Sequence, residues 1–255
     1  MIHKAEYMKK IVALVLLVMV SLFIMPDAFA QSVTLDLGKS APDGSATGRL
    51  IELVVLMTVI SLAPSILVMT TSFMRIVIVL SFLRSALGLQ TTPPNQVLIA
   101  LAVFLTMFIM APAFEEAYED GFKPLIEESI TQEQGLERIA MPFHAFMLKH
   151  VREKDLQLFV SMSPKLEIEK PEDTPFRVLV PAFMISELKR AFEIGFLIFL
   201  PFVIIDMLVA SILMAMGMIT LPPVQISLPF KLIFFVLVDG WYMVCGSLIK
   251  SFGTI

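Results

Sequence analysis

Six charged residues stand inside otherwise apolar stretches: Arg75, Arg84, Glu193, Asp206, Lys231 and Asp239. Two kinds of chemistry suit such placements. Opposite charges on facing helices can pair and fix register, or a row of acids can carry protons or ions through an apolar layer. A relay needs acids repeated along one helix face, and no such row is present. Pairing is therefore the stronger reading, with Lys231 joined to an acid such as Asp206 or Asp239 on another helix. An ion-coupled membrane transporter using Asp206, Asp239 or Glu193 as carriers is the alternative.

Catalytic chemistry finds no foothold. The histidines are His3, His144 and His150, and the last two lie six apart. On a helix that spacing does not share a face, where neighbours are three or four apart. There is no His-Glu-x-x-His pair, no paired-cysteine metal spacing, no Walker phosphate loop and no dinucleotide fingerprint. Cys245 is a single cysteine, so an intrachain disulfide is excluded. Glu115-Glu116 and Glu127-Glu128 read as solvated helix faces. The expectation is no enzyme, no cofactor and no metal. A net charge of -4 gives no reason to expect a nucleic-acid partner.

The elements that must hold these charges are set by composition. Of 255 residues, 57% are hydrophobic and only 16% charged, and the mean hydropathy is +0.86. That apolar excess is more than one soluble core absorbs, and the long uncharged stretches fit a bilayer. The sequence predicts an all-α membrane protein.

Residues 1–30 read as a removable export signal. Lys4, Lys9 and Lys10 precede a 15-residue uncharged run from Ile11 to Met25. Pro26 ends it, and Ala28-Phe29-Ala30 offers the small residues of a cleavage site before Gln31. Residues 31–49 form a flexible exported stretch. Apolar segments follow at Leu50 to Met69, Phe73 to Leu89, Val97 to Phe114, Ala191 to Gly217 and Leu228 to Ile249. The first three make a hairpin region, 50–114, and the last two a second, 191–255.

Between them, residues 115–190 hold 15 of the 23 acidic residues. Amphipathic pieces such as Pro142 to Leu158 predict helices there. With the mature N-terminus exported, Arg75 and Arg84 come near the cytoplasmic side and the acidic region lies outside, in the periplasm. Lys189 and Arg190 run against the positive-inside rule in that arrangement.

Gly88-Leu-Gln-Thr91-Thr-Pro93-Pro94-Asn-Gln96 matches Gly217-Met-Ile-Thr220-Leu-Pro222-Pro223-Val-Gln225 at five of nine positions. Glycine to end one helix, threonine to cap and proline to start the next suit a hairpin tip. Two hairpins with tips on the same side are expected. Pro64, Pro112, Pro201 and Pro229 add kinks whose freed carbonyls need neighbours. Charges and kinks together predict an obligate assembly.

Several stretches resemble one family. Pro181-Ala-Phe183-Met-Ile-Ser-Glu187 continues through Phe192 and Glu193 to Gly195. With it go Thr71-Ser-Phe-Met-Arg75-Ile, Arg84-Ser-Ala-Leu-Gly88, Pro93-Pro-Asn-Gln-Val97, Leu228-Pro-Phe-Lys231 and Val238-Asp-Gly-Trp241. In order, they are similar to the FliP family of the flagellar type III export gate. The resemblance implies a subunit of a pentameric homo-oligomer that joins two smaller polytopic partners, FliQ and FliR, in a conical helical pore. That pore sits in the inner (plasma) membrane, within the flagellar basal body, and passes unfolded flagellar subunits outward. The resemblance also implies a methionine seal at the second tip. Met214, Met216 and Met218 occupy that stretch here, with Ile219 and Leu221 completing it. Soft thioethers exclude water yet deform around a passing chain. A non-conducting assembly scaffold is a further alternative.

Overall fold

The chain divides into two units, Met1–Leu56 and Met57–Ile255. The computed structural model describes residues 64–163, 170–218 and 220–253, with Val54, Met57, Thr58, Ser61 and Leu62. The expected export signal, with Ala28, Ala30 and Gln31, and Ile219, expected at the gate, lie outside the described residues. Among the described residues of the second unit, every regular element is a helix.

α1 (Pro64–Thr70) and α2 (Phe73–Ala86) meet at a 79° bend. The hydroxyls of Thr70 and Thr71 donate to the Ile66 and Leu67 carbonyls, at 2.9 and 2.7 Å. Such back-bonding takes up helix carbonyls and bends the chain. α2 buries Ile76, Val79, Leu80 and Leu83, a helical stripe that faces α3 and the helix after the polar region. α3 (Asn95–Glu116) turns Leu98, Ala102 and Ile109 to that stripe. It leaves Phe104 73% exposed.

A π-turn (Ala117–Phe122) and α4 (Lys123–Ile126) lead into the polar region. α5 (Gln132–His150) opens with a capping box between Thr131 and Gln134. α6 (Glu153–Ser161) and a 3-10 turn (Pro171–Asp173) follow. The helices expected in this region are present.

α7 (Phe176–Ala215) is one helix of 40 residues, about 60 Å long at 1.5 Å per residue. That is twice the hydrocarbon thickness of a bilayer, about 30 Å. It runs without a break through the composition change at 190/191, so the second hairpin's first helix starts inside the polar region. Charge marks what surrounds a helix, not where its hydrogen bonds stop.

α8 (Pro223–Leu237) and α9 (Gly240–Lys250) replace the single run expected from Leu228 to Ile249, and they meet at 62°. Asp239 takes left-handed angles, φ 51° and ψ 53°. A Cβ on Gly240 would run into the Phe235 ring. Among the described residues two helices, α3 with the turns after it and α7, are long and apolar enough to cross a membrane. Counting each bent pair as one span raises the number to four.

α2 and α7 run in the same direction. Arg75 meets Glu187, Phe82 meets Phe192 and Gly195, and Leu83 meets Phe202, in that order along both helices. Both hairpin tips therefore lie at one end of this unit.

Candidate functional site

Two ion pairs and the two tips make up the site, starting deep on α2. Arg75 is 1% exposed and Glu187 is fully buried. Arg75 Nε donates to Glu187 Oε2 at 2.7 Å, and its second nitrogen completes a two-point clasp on Oε1. The remaining nitrogen reaches Ser251 Oγ at 2.8 Å. Phe252 lies over the guanidinium, 3.6 Å from carbon to ring centre. Each of the three guanidinium nitrogens finds an acceptor, which a buried guanidinium needs.

Sequence reasoning places Glu187 only within the Pro181–Gly195 stretch and misses its pairing. A signal is available. Arg75 shares the α2 face of Ile76, Val79 and Leu83, so its partner has to be an acid on a core face. Glu187, four residues after Phe183 and four before Ala191, meets that condition.

The second pair sits nearer the tips. Lys231 Nζ donates to Asp206 Oδ2 at 2.5 Å and to the Ala86 carbonyl at 3.3 Å. Ser227 Oγ donates to the other Asp206 oxygen. Lys231 thus joins α8 to α7 and to the last turn of α2. Of the two acids that could partner it, Asp206 takes the role. Asp239 stands exposed at the α8–α9 break and makes no side-chain cap there.

The two other charges expected between helices, Glu193 and Arg84, meet no opposite charge on another helix among the described residues. Glu193 is on the outer face of α7, 3.6 Å from Lys189 one turn earlier, with both side chains more than half exposed. The inner face at that level belongs to Ala191 and Gly195. Among the described residues Arg84 joins no acid; its Nη1 donates to Asn95 Oδ1, on the first residue of α3, at 2.6 Å and to the Pro93 carbonyl at 3.2 Å, across the first tip.

The tips repeat in geometry as in sequence. Gly88 (φ 76°) and Gly217 (φ 74°) both take left-handed angles. Leu89 N–H reaches the Arg84 carbonyl and Gly88 N–H that of Ser85; Met218 reaches Leu213 and Gly217 reaches Met214. Each is a Schellman end, which suits glycine because it lacks a Cβ. The threonine caps expected after them are not made. α3 starts from Pro94 and α8 from Pro222, with no side-chain cap bond at either. Pro223, first in α8, has no N–H to satisfy.

The surroundings of the tips differ. Ala86 and Leu87 of the first are buried with Phe202 and Phe235. Met214, Met216, Met218 and Leu221 of the second are exposed by 68, 62, 42 and 42%. Of the Pro181–Gly195 stretch, Phe183 is buried beside Met147 and Leu179, and Pro181 is half-buried. Phe192 stands outside, its ring edge-on to Phe82 at 5.0 Å. Gly195 lies beneath Phe82, where a Cβ would come within 2.6 Å of the ring.

On the polar side, Ser186 Oγ donates to Asp155 at 2.6 Å, and Arg152 clasps the same carboxylate. Burial opposes ionisation of Asp155, yet Ser186 and Arg152 hold its carboxyl below the usual range. His144 is bonded to the Thr174 carbonyl at 2.7 Å. Burial, helped by the charges of Arg75, Arg190 and Lys149, pushes the His150 imidazole from 6.5 to about 4. No group of three or more metal-binding side chains occurs among the described residues.

The FliP family pattern matches residues 56–248. The chain is similar to the flagellar biosynthetic protein FliP of Caulobacter vibrioides, 54% identical over 98% of this chain and 93% of that one. It is similar to the protein of that name from Bacillus subtilis, 53% identical over 84% of this chain and 96% of the relative. For that of Agrobacterium fabrum the values are 50%, 88% and 93%.

Proposed function

Because the chain belongs to the FliP family, we propose that it is a structural component of the flagellar export apparatus, a subunit of its protein-conducting gate. One observation carries this reading: a few charges are paired in the interior while much of the helix surface is apolar. Arg75, Glu187 and Lys231 are buried, while large apolar side chains along α3, α7, α8 and α9 are exposed. An arrangement of that kind needs lipid or partner helices around it.

In the proposed assembly several copies form a ring with FliQ-type and FliR-type subunits in the inner membrane. The Met-rich second tips converge on the axis, and unfolded flagellar subunits pass between them. The ion pairs hold each hairpin so that its tip enters the ring at one height. Residues 1–30 are removed on export, 31–49 and the acidic region 115–190 face the periplasm, and the hairpins 50–114 and 191–255 build the conduit.

Native mass spectrometry of the detergent-solubilised protein, co-expressed with its partners, tests the assembly. A ring of several copies lacking residues 1–30 and carrying the smaller subunits is expected. A stable monomer with its N-terminus intact would overturn the proposal and favour an ion-coupled transporter. The gate is tested by changing Met214, Met216 and Met218 together to Ala, which should leave rings intact but let small ions leak. Unchanged conductance would remove the seal from those residues and favour a scaffold.

A further inference from the structure

The two tips are built alike but held differently. The first is tied at three points. Arg84 spans it to Pro93 and Asn95, Lys231 takes the Ala86 carbonyl from below, and Ala86 and Leu87 are buried. The second is last tied by side-chain hydrogen bonds at Asp206 and Ser227, with Leu213 the one buried residue of α7 beyond them. Beyond those residues, among the described ones, no side-chain hydrogen bond crosses from α7 to α8. α7 runs on from Asp206 to Ala215, nine residues or about 14 Å of helix past its last tie.

The fixed tip meets the second hairpin through Lys231, Phe202 and Phe235. Nearer the second tip, the opening turn of α8 comes close to Gly88, where an added Cβ would lie 4.0 Å from Val224 Cγ1. Val224 lies six residues after Met218. Whatever holds the first tip in place therefore limits how far the α8 entrance, and the methionines before it, can swing.

We propose that Arg84 is a positioning residue of the gate: by closing the first tip it makes a brace for the second, Met-rich tip. The idea rests on the gate reading and adds the element that holds the closed state. Its guanidinium suits the task, since one planar group bonds a carbonyl and an amide on the far side of the loop. A neutral or shorter side chain at 84 would leave the Pro93 carbonyl and Asn95 without this partner, and the tip would loosen.

The test uses assembled rings with their partner subunits, comparing Arg84→Ala, Asn95→Ala and the double variant. Two quantities are read: resting small-ion conductance in a lipid bilayer, and amide hydrogen exchange over 86–94 and 213–224. Arg84→Ala should raise the resting leak about fivefold, the population change expected for losing a hydrogen bond to a charged group. Asn95→Ala should do the same more weakly. The double variant should match Arg84→Ala, because the two residues share one bond.

Exchange should quicken in both segments. Faster exchange in 86–94 alone, with conductance unchanged, would overturn the proposal and leave Arg84 closing only its own loop. If Arg84→Ala yields no rings, Asn95→Ala, which removes one acceptor only, decides by the same two readings. The Met214, Met216 and Met218 triple variant separates the failures. A leak there without one in Arg84→Ala removes only the brace, whereas tight rings in both remove the gate reading itself.

Discussion

Arg75 and Glu187 hold the site at its deepest point, and removing either alone strands a charge. Glu187→Gln leaves the guanidinium uncompensated, a change that costs about 3–5 kcal/mol for buried pairs. Replacing both with methionine removes the two charges together and should restore most of that loss. Thermal unfolding of the full chain in detergent, followed by circular dichroism, reads both outcomes; a double variant no better than Glu187→Gln would refute the pairing account. His150 gives a prediction in pH. The unfolded imidazole takes up its proton near 6.5 and the folded one near about 4. Between those values the unfolded state binds more protons, so stability should fall as pH drops through that window and level off below it. His150→Phe, which keeps the aromatic contacts with Phe146 and Phe252, should flatten the slope there. An unchanged slope would assign it to another group.

The bend between α8 and α9 belongs to the scale of the element. It depends on Asp239 in a left-handed conformation and on Gly240 packed under the Phe235 ring. Asp239→Asn should be tolerated, since asparagine visits those angles readily. Asp239→Val should cost about 1–2 kcal/mol, because a β-branched side chain crowds left-handed backbone and lacks the short polar group that lets Asp and Asn visit it. Gly240→Ala should destabilise more, with partial recovery when Phe235 is also changed to Ala; no recovery would mean that the clash is not the cause. Melting temperatures of the purified chain decide all three. The same bend shows the limit of hydropathy. Averaged with the apolar runs on either side, Val238 to Trp241 passes as mid-helix; its Asp239-Gly240 pair is the local sign of the break that the packing of Gly240 on Phe235 fixes.

At the scale of the whole molecule the decisive property is its apolar helix surface. Phe104 on α3 is among the most exposed large apolar side chains, so its surroundings come from outside the chain. Phe104→Glu should cut the yield of membrane-integrated assembly at least about tenfold. A charge at the centre of an apolar span costs roughly 2.5–3.5 kcal/mol on insertion scales, and 1.4 kcal/mol is already tenfold. Phe104→Leu should be neutral. Quantitative blotting of membrane fractions on native gels measures both, and normal yield with Glu would mean that this face meets water.

Much was legible along the chain because it depends on local chemistry. Gly88 and Gly217 announced helix ends, since a left-handed residue without a Cβ is what a Schellman end requires. The apolar runs announced membrane-compatible helices, and the ordered Pro181–Gly195 and Arg75–Arg84 stretches announced the family. Lys231 announced a buried pair, because a lone ammonium in an apolar run needs a counter-charge. Which acid answered it was not local. Asp206 and Asp239 were equal candidates until the α7–α8 packing brought one of them to 2.5 Å. Arg75 with Glu187, 112 residues apart, and Arg84 across its own tip were likewise settled by tertiary structure. So was the placement of Glu193 on an outer face. A sequence fixes which groups require partners, since the cost of an unpaired charge belongs to the side chain itself. Only the fold decides which partners arrive, since that depends on the relative direction and register of helices far apart in the chain.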